Sequence, residues 1–214
     1  DLEDILHKVP QRNGSYRMLA SLAVAGKPIG PFRYEGTRED DPNDTVPHEL
    51  RRELRGLAVL CAWLNHTDSK SINSLDTFIE EKGLAYVRHH LIDFGAAFGS
   101  DSDMPKNVRF GNEYVIPEPR EALLSMASFG LMVRPWESAD YGPYKAVGRF
   151  ESKTFDPLKW KGNYPNPAFL RRQPEDEYWA AKLVMAFRDE DIRAIVETAE
   201  YSDPKVTEYM TRTL

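Results

Sequence analysis

Cysteine occurs once among the 214 residues. That single thiol, Cys61, excludes an internal disulfide and any cysteine-rich zinc centre. Set in the apolar run Leu57-Ala-Val-Leu-Cys-Ala-Trp63, it reads as a buried structural thiol rather than a nucleophile. Long hydrophobic runs are missing as well: no 18-residue apolar stretch occurs, mean hydropathy is -0.55, and no membrane span is expected. The opening Asp1-Leu-Glu-Asp4 has neither a Met nor a basic and apolar leader, so it reads as the start of a piece of a longer protein without a signal peptide. Positive charge is in deficit, with 28 Lys and Arg against 34 Asp and Glu and a formal charge of -6. A pI near 5.5 argues against a nucleic-acid partner, which would demand a basic face. The cysteine usage leans toward a reducing, cytoplasmic setting. No Gly-x-Ser-x-Gly elbow and no P-loop is present, which removes support for a serine hydrolase or a P-loop NTPase.

What is present divides the chain into an N-terminal strand and hinge region, residues 1–45, and a mainly helical body, residues 46–214. Arg17 to Ala25 is apolar and runs into Gly26-Lys-Pro-Ile-Gly30, the pattern of a strand ending in a turn. Thr37 to Val46, with Pro42, three Asp and an Asn, is a surface loop. Pro47 suits a first helical turn, and Leu50, Leu54, Leu57, Cys61 and Leu64 recur at steps of four and three, which predicts one helix with a buried stripe. Leu75 to Glu80 and Leu84 to Ile92, separated by Glu81-Lys-Gly83, predict a β-hairpin. Residues 120–130 have helical spacing. Residues 133–169 show no period, and their aromatics Trp136, Tyr141, Tyr144, Phe150, Phe155, Trp160 and Tyr164 read as anchors of a segment wrapped over the core. Three more helices follow, announced by Pro174-Glu-Asp, Asp189 and Asp203-Pro204. The fold class is α+β.

The residues suited to chemistry lie in His66-Thr-Asp-Ser-Lys-Ser-Ile-Asn73 and, twenty residues on, Asp93-Phe-Gly95. A hairpin between them returns the second motif to the first. Two carboxylates, Asp68 and Asp93, and the Asn73 carboxamide then meet at one edge. All are hard oxygen donors, suited to Mg²⁺ and the phosphate oxygens it bridges, and Lys70 offers a point positive charge for a phosphate. Each residue also has a plainer role: Asp68, Asn73 and Asp93 as Asx turns, Lys70 solvated, His66 structural. His89 and His90 are neighbours on a strand and point to opposite faces, so they do not share a metal.

The pattern His-x-Asp-x-Lys-x-x-Asn followed by Asp-Phe-Gly resembles the catalytic half of the protein-kinase-like superfamily, closer to divergent bacterial kinases of the HipA type than to eukaryotic ones. Residues 15 to 100 carry the resemblance. It implies a mainly helical kinase-like large lobe with a short β-hairpin and a small N-terminal strand region. It implies ATP and Mg²⁺ as cofactors, a nucleotide and a hydroxyl acceptor (protein or small molecule) as partners, Asp68 as base, Lys70 at the γ-phosphate, and Asn73 and Asp93 as metal ligands. His66 would pack and hydrogen-bond behind the loop, and Leu22 to Gly30 would be the hinge strand. Thr67 stands where regulated kinases carry Arg, the spacing from Asn73 to Asp93 is longer than usual, and no Ala-Pro-Glu follows. The 65 residues before His66 hold no Gly-x-Gly-x-x-Gly and no obvious strand lysine paired with a helical glutamate, so the small lobe would be largely absent from this chain. An inactive kinase-fold scaffold and a metal-dependent hydrolase using the same carboxylates remain the alternatives.

Overall fold

The structure, a computed structural model, describes residues 2–7, 9, 11–16, 21–102, 104–129 and 131–214. It is a mixed α+β arrangement, 35% helical and 14% strand. A short helix α1 (Leu2–Leu6) and a small hairpin, β1 (Gln11–Arg12) and β2 (Ser15–Tyr16), come first. The main sheet is antiparallel, in the order β3 (Lys27–Gly30), β4 (Ser74–Glu81), β5 (Leu84–Leu91). Between β3 and β4 runs α2 (Arg52–Trp63). After β5 come a two-residue hairpin, β6 (Ser100–Asp101) and β7 (Met104–Pro105), then α3 (Pro119–Ala127), α4 (Pro167–Leu170), α5 (Pro174–Val184), α6 (Asp189–Glu197) and α7 (Pro204–Thr213).

The expected hairpin forms with unbroken register, from Ser74 opposite Leu91 to Glu81 opposite Leu84. Its two-residue turn puts Lys82 at φ 52 and Gly83 at φ 78. Paired left-handed residues make the type I′ geometry whose twist matches the flanking strands, and Gly at the second place removes the steric cost. His89 and His90 do take opposite faces: His89 Nδ1 lies 2.6 Å from Asp76 Oδ1, and His90 Nε2 lies 3.0 Å from Thr77 Oγ1.

Two expectations need correction. Of the strand placed at Arg17 to Ala25, residues 17–20 lie outside the described residues. Residues 21–24 are irregular and exposed, Leu22 at 93%. The strand is instead Lys27–Gly30, where a turn was expected. Lys27 and Pro28 pair with Phe78 and Thr77 on the free side of β4; this is an edge position, where proline's missing N–H is tolerated. The single helix expected from Pro47 is two pieces. His48–Leu50 forms a 3₁₀ turn, Arg51 is extended (φ -81, ψ 130), and α2 starts at Arg52. Leu50 therefore leaves the stripe and is 47% exposed.

Leu54, Leu57 and Cys61 of the stripe pack as the spacing requires. Leu54 and Leu57 lie against a cluster of Phe32, Tyr34, Ala58, Cys61, Ala62, Trp160, Ala168 and Phe169. Burial pushes the Cys61 thiol up to about 12, and Ser69 Oγ lies 3.1 Å from its sulfur, so the thiol is structural. A second cluster joins Val147 and Phe150 of the irregular segment to Val196 of α6 and to Val206 and Met210 of α7. The aromatic segment is thus a wrap anchored at Phe150 and Trp160, while Tyr164 stays exposed. The helices α5 to α7 form as expected and Asp203 caps α7, accepting from Lys205 N at 2.9 Å; Asp189, expected as the cap of α6, is its first helical residue, with Arg188 at the cap.

One ion pair ties α2 to α5. Asp176 is 1% exposed, accepts from Arg55 Nε at 2.6 Å and Nη2 at 2.9 Å, and also accepts from the Gln173 backbone at the head of α5. The guanidinium holds this carboxyl below the usual carboxylate range. Arg52, 3.7 Å from the same carboxylate, is largely exposed. Removing Arg55 strands a buried charge, so Arg55→Ala is expected to cost about 3 kcal/mol. Arg52→Ala is expected to cost less than about 1 kcal/mol. Urea titration of the two variants measures the difference, and equal losses would refute this account of the α2–α5 junction.

Candidate functional site

The site forms where the hairpin's two stems continue past the sheet. At the end of α2 Asn65 turns left-handed (φ 47) and His66 N donates to Cys61 O at 2.8 Å. Asn65 Oδ1 accepts from Trp160 Nε1 at 3.1 Å, so the wrap holds this turn. The chain then runs antiparallel to the segment after β5: Phe98 N donates to Leu64 O at 2.8 Å, Thr67 N to Ala96 O at 3.3 Å, and Ile92 N to Asn73 O at 3.0 Å. The two motifs are therefore brought side by side.

Within the first motif Asp68, Lys70 and Asn73 are in direct contact. Asn73 Nδ2 donates to both Asp68 O (2.9 Å) and Asp68 Oδ2 (2.8 Å), and Lys70 Nζ lies 3.0 Å from Asp68 Oδ1. Asp93 sits one residue past Ile92, in left-handed backbone at φ 59, and among the described residues its carboxylate accepts only from Gly95 N, at 3.3 Å. A non-glycine residue held there is strained, although Asp tolerates it best. No hydrogen bond joins the Asp93 side chain to Asp68 or Asn73 among the described residues. Both carboxylates nevertheless bear on one neighbour, buried His66. Burial and Lys106 hold its pKa below the ordinary value, against the opposing pull of Asp68 and Asp93. His66 packs on Phe94 with ring centroids 5.4 Å apart, as expected, but its Nδ1 makes no hydrogen bond among the described residues.

Three residues escaped the sequence reading. Asn163 N donates to Thr67 O at 2.6 Å, and its Nδ2 reaches toward Asp68 Oδ1 at 3.5 Å. Asn166 Nδ2 donates to Ser69 O at 3.2 Å while its Oδ1 caps α4. Asn166-Pro167 is a visible N-cap signal, but nothing in the sequence connects it with residue 69. The third is Lys106, 2% exposed, whose Nζ donates to Thr67 Oγ1 and, at 2.6 Å, to Ala96 O. Burial lowers its pKa to about 8, although Asp101 and Asp68 act to raise it.

The donor set suits a small hard cation. Because Asn73 Nδ2 is spent on Asp68, its carbonyl oxygen Oδ1 is the atom left over, and it accepts no hydrogen bond among the described residues. No group of three His, Cys, Asp or Glu side chains is gathered tightly enough to hold a metal among the described residues. No family model matches this chain, and comparisons with curated proteins and with solved structures returned no match.

The Lys106 titration has a definite sign. Its folded pKa of about 8 lies below the unfolded value of 10.5, so the native state carries a charge-burial penalty at neutral pH that disappears as pH rises from about 8 through 10.5. The melting temperature of the protein relative to Lys106→Met is expected to rise across that interval. A flat difference would show that the ammonium is not desolvated.

Proposed function

We propose that the chain is the large lobe of a kinase-like phosphotransferase that uses ATP and Mg²⁺. The observation that carries this reading is the antiparallel pairing of residues 64–73 with 92–98, which places an Asp-Lys-Asn loop beside a strained Asp-Phe-Gly turn. Asn73 Oδ1 and the Asp93 carboxylate would hold Mg²⁺, whose contribution is to neutralise charge on the phosphates. Asp68, aimed by Asn73 and braced by Asn163, accepts the proton of the acceptor hydroxyl. The acceptor oxygen bonds the γ-phosphorus as the bond from that phosphorus to the β–γ bridging oxygen breaks, and ADP leaves. Lys70, half-exposed at the loop's edge, turns from Asp68 toward the transferred phosphoryl group.

A scaffold without transfer activity is the second reading. It is favoured by the apolar side chains that α3 and the residues after it expose, including Leu123, Met126, Phe129 and Leu131, since exposed apolar side chains close in sequence are a feature of contact surfaces.

Isothermal titration separates the two. The protein is expected to bind ATP in a Mg²⁺-dependent manner, and Asp93→Ala to weaken that binding at least about 10-fold; equal binding by the two proteins defeats the metal-ligand assignment. In Asp68→Ala, ATP affinity is expected to stay within about 3-fold while γ-phosphate release falls by about 100-fold, in line with loss of a general base. Undiminished turnover in that variant removes Asp68 from the base role.

A further inference from the structure

Lys106 belongs to neither motif, yet its side chain bonds Thr67 within the first and Ala96, the residue just past the second. Its backbone is pinned from far along the chain: Gly99 O accepts from Lys106 N at 2.8 Å and from Arg149 N at 2.9 Å, and Arg149 Nη1 donates to Lys106 O at 2.6 Å. This clasp needs glycine. Gly99 has φ 67, and a Cβ there would lie 2.1 Å from Arg149 O. From that anchor the ammonium crosses to Thr67 Oγ1, beside Asp68, and to Ala96 O, three residues past Asp93. A buried ammonium bound to neutral oxygens is costly, and an apolar side chain would fill the same space without that cost. What the apolar residue would not do is bond the two segments to one another at fixed separation.

We propose that Lys106 is a positioning residue, an ammonium clamp that sets the spacing between the loop bearing Asp68 and the turn bearing Asp93. The proposal rests on the phosphotransferase reading for its catalytic consequence but not for the clamp itself. The Thr67 N to Ala96 O bond, at 3.3 Å, is the longest of the three main-chain bonds described above between the two segments. The clamp closes on the same two residues through the side chain.

The test compares Lys106→Met, Thr67→Val and the double variant, the second being close in size to the native residue and keeping the lysine. Amide hydrogen exchange is read at Thr67, with the α6 and α7 amides as the internal control for folding. Each single variant is expected to speed exchange at Thr67 at least about 10-fold and to leave the control amides within about 2-fold. The double variant is expected to be no faster than the worse single one, since residues acting as one unit are not additive. With Mg²⁺ and ATP, γ-phosphate release is expected to lose about 10-fold or more in kcat with KM for ATP within about 3-fold, because the clamp aims Asp68 and does not hold the nucleotide. Unchanged exchange at Thr67 in folded Thr67→Val, or additive effects in the double variant, overturns the clamp. Absence of any turnover in the unsubstituted protein overturns the phosphotransferase reading and the catalytic role with it, while the exchange data still decide whether the clamp exists.

Discussion

Three main-chain hydrogen bonds, Phe98 to Leu64, Thr67 to Ala96 and Ile92 to Asn73, make every other property of the site possible. They prolong the β4–β5 hairpin beyond the sheet, so that register set by a two-residue turn is transmitted to a loop and a turn some twenty residues apart in sequence. Antiparallel pairing admits no continuous adjustment: a slip moves each side chain to the opposite face. Asp68 and Asp93 therefore owe their proximity to the Lys82-Gly83 turn as much as to their own surroundings. Asn73 closes the arrangement, with its carbonyl on Ile92 N and its amide on Asp68.

The parts legible in the sequence are those governed by local periodicity. Alternation in Leu75 to Glu80 and Leu84 to Ile92, with Lys82-Gly83 between, is enough to fix a hairpin, and Leu54, Leu57 and Cys61 are enough for a helix face. The Asp203-Pro204 start of α7 is local chemistry in the same way. Failures occur where a distant element decides. Arg51 breaks the expected helix where its guanidinium binds Asp44 from the preceding loop. A strand forms at Lys27–Gly30, where a turn was expected, because the edge of β4, 46 to 51 residues downstream, supplies the pairing groups. Of the site, Asp68, Lys70, Asn73 and Asp93 were readable as a motif. Asn163, Asn166 and Lys106 were not, since a lysine between Pro105 and Asn107 carries the ordinary signature of a solvated side chain and only the Gly99–Arg149 clasp turns it inward.

The long irregular segment follows from the same logic. A stretch of this length without regular structure is entropically expensive, and here it is held by packing at Phe150 and Trp160 and by polar bonds at its far end. Trp160 bonds Asn65, Asn163 bonds Thr67, and Asn166 bonds Ser69, so the wrap braces the loop at alternate residues from 65 to 69. A loop braced on one side by the wrap and on the other by residues 92–98 has little freedom to rearrange, which is the condition for aiming a carboxylate.

Charge explains why a lysine is buried in an acidic protein at this place. Asp68 and Asp93 both act on His66, and Asp68 and Asp101 both act on Lys106. The His66 ring adds no positive charge beside these carboxylates, since burial and Lys106 disfavour its protonation. The ammonium of Lys106 does, bonded to Thr67 and Ala96 from the buried side. The carboxylates in turn oppose the cost of burying it, because their field favours the charged form. Asp68 and Asp101 thus offset part of the charge-burial cost that Lys106 carries behind Thr67 and Ala96.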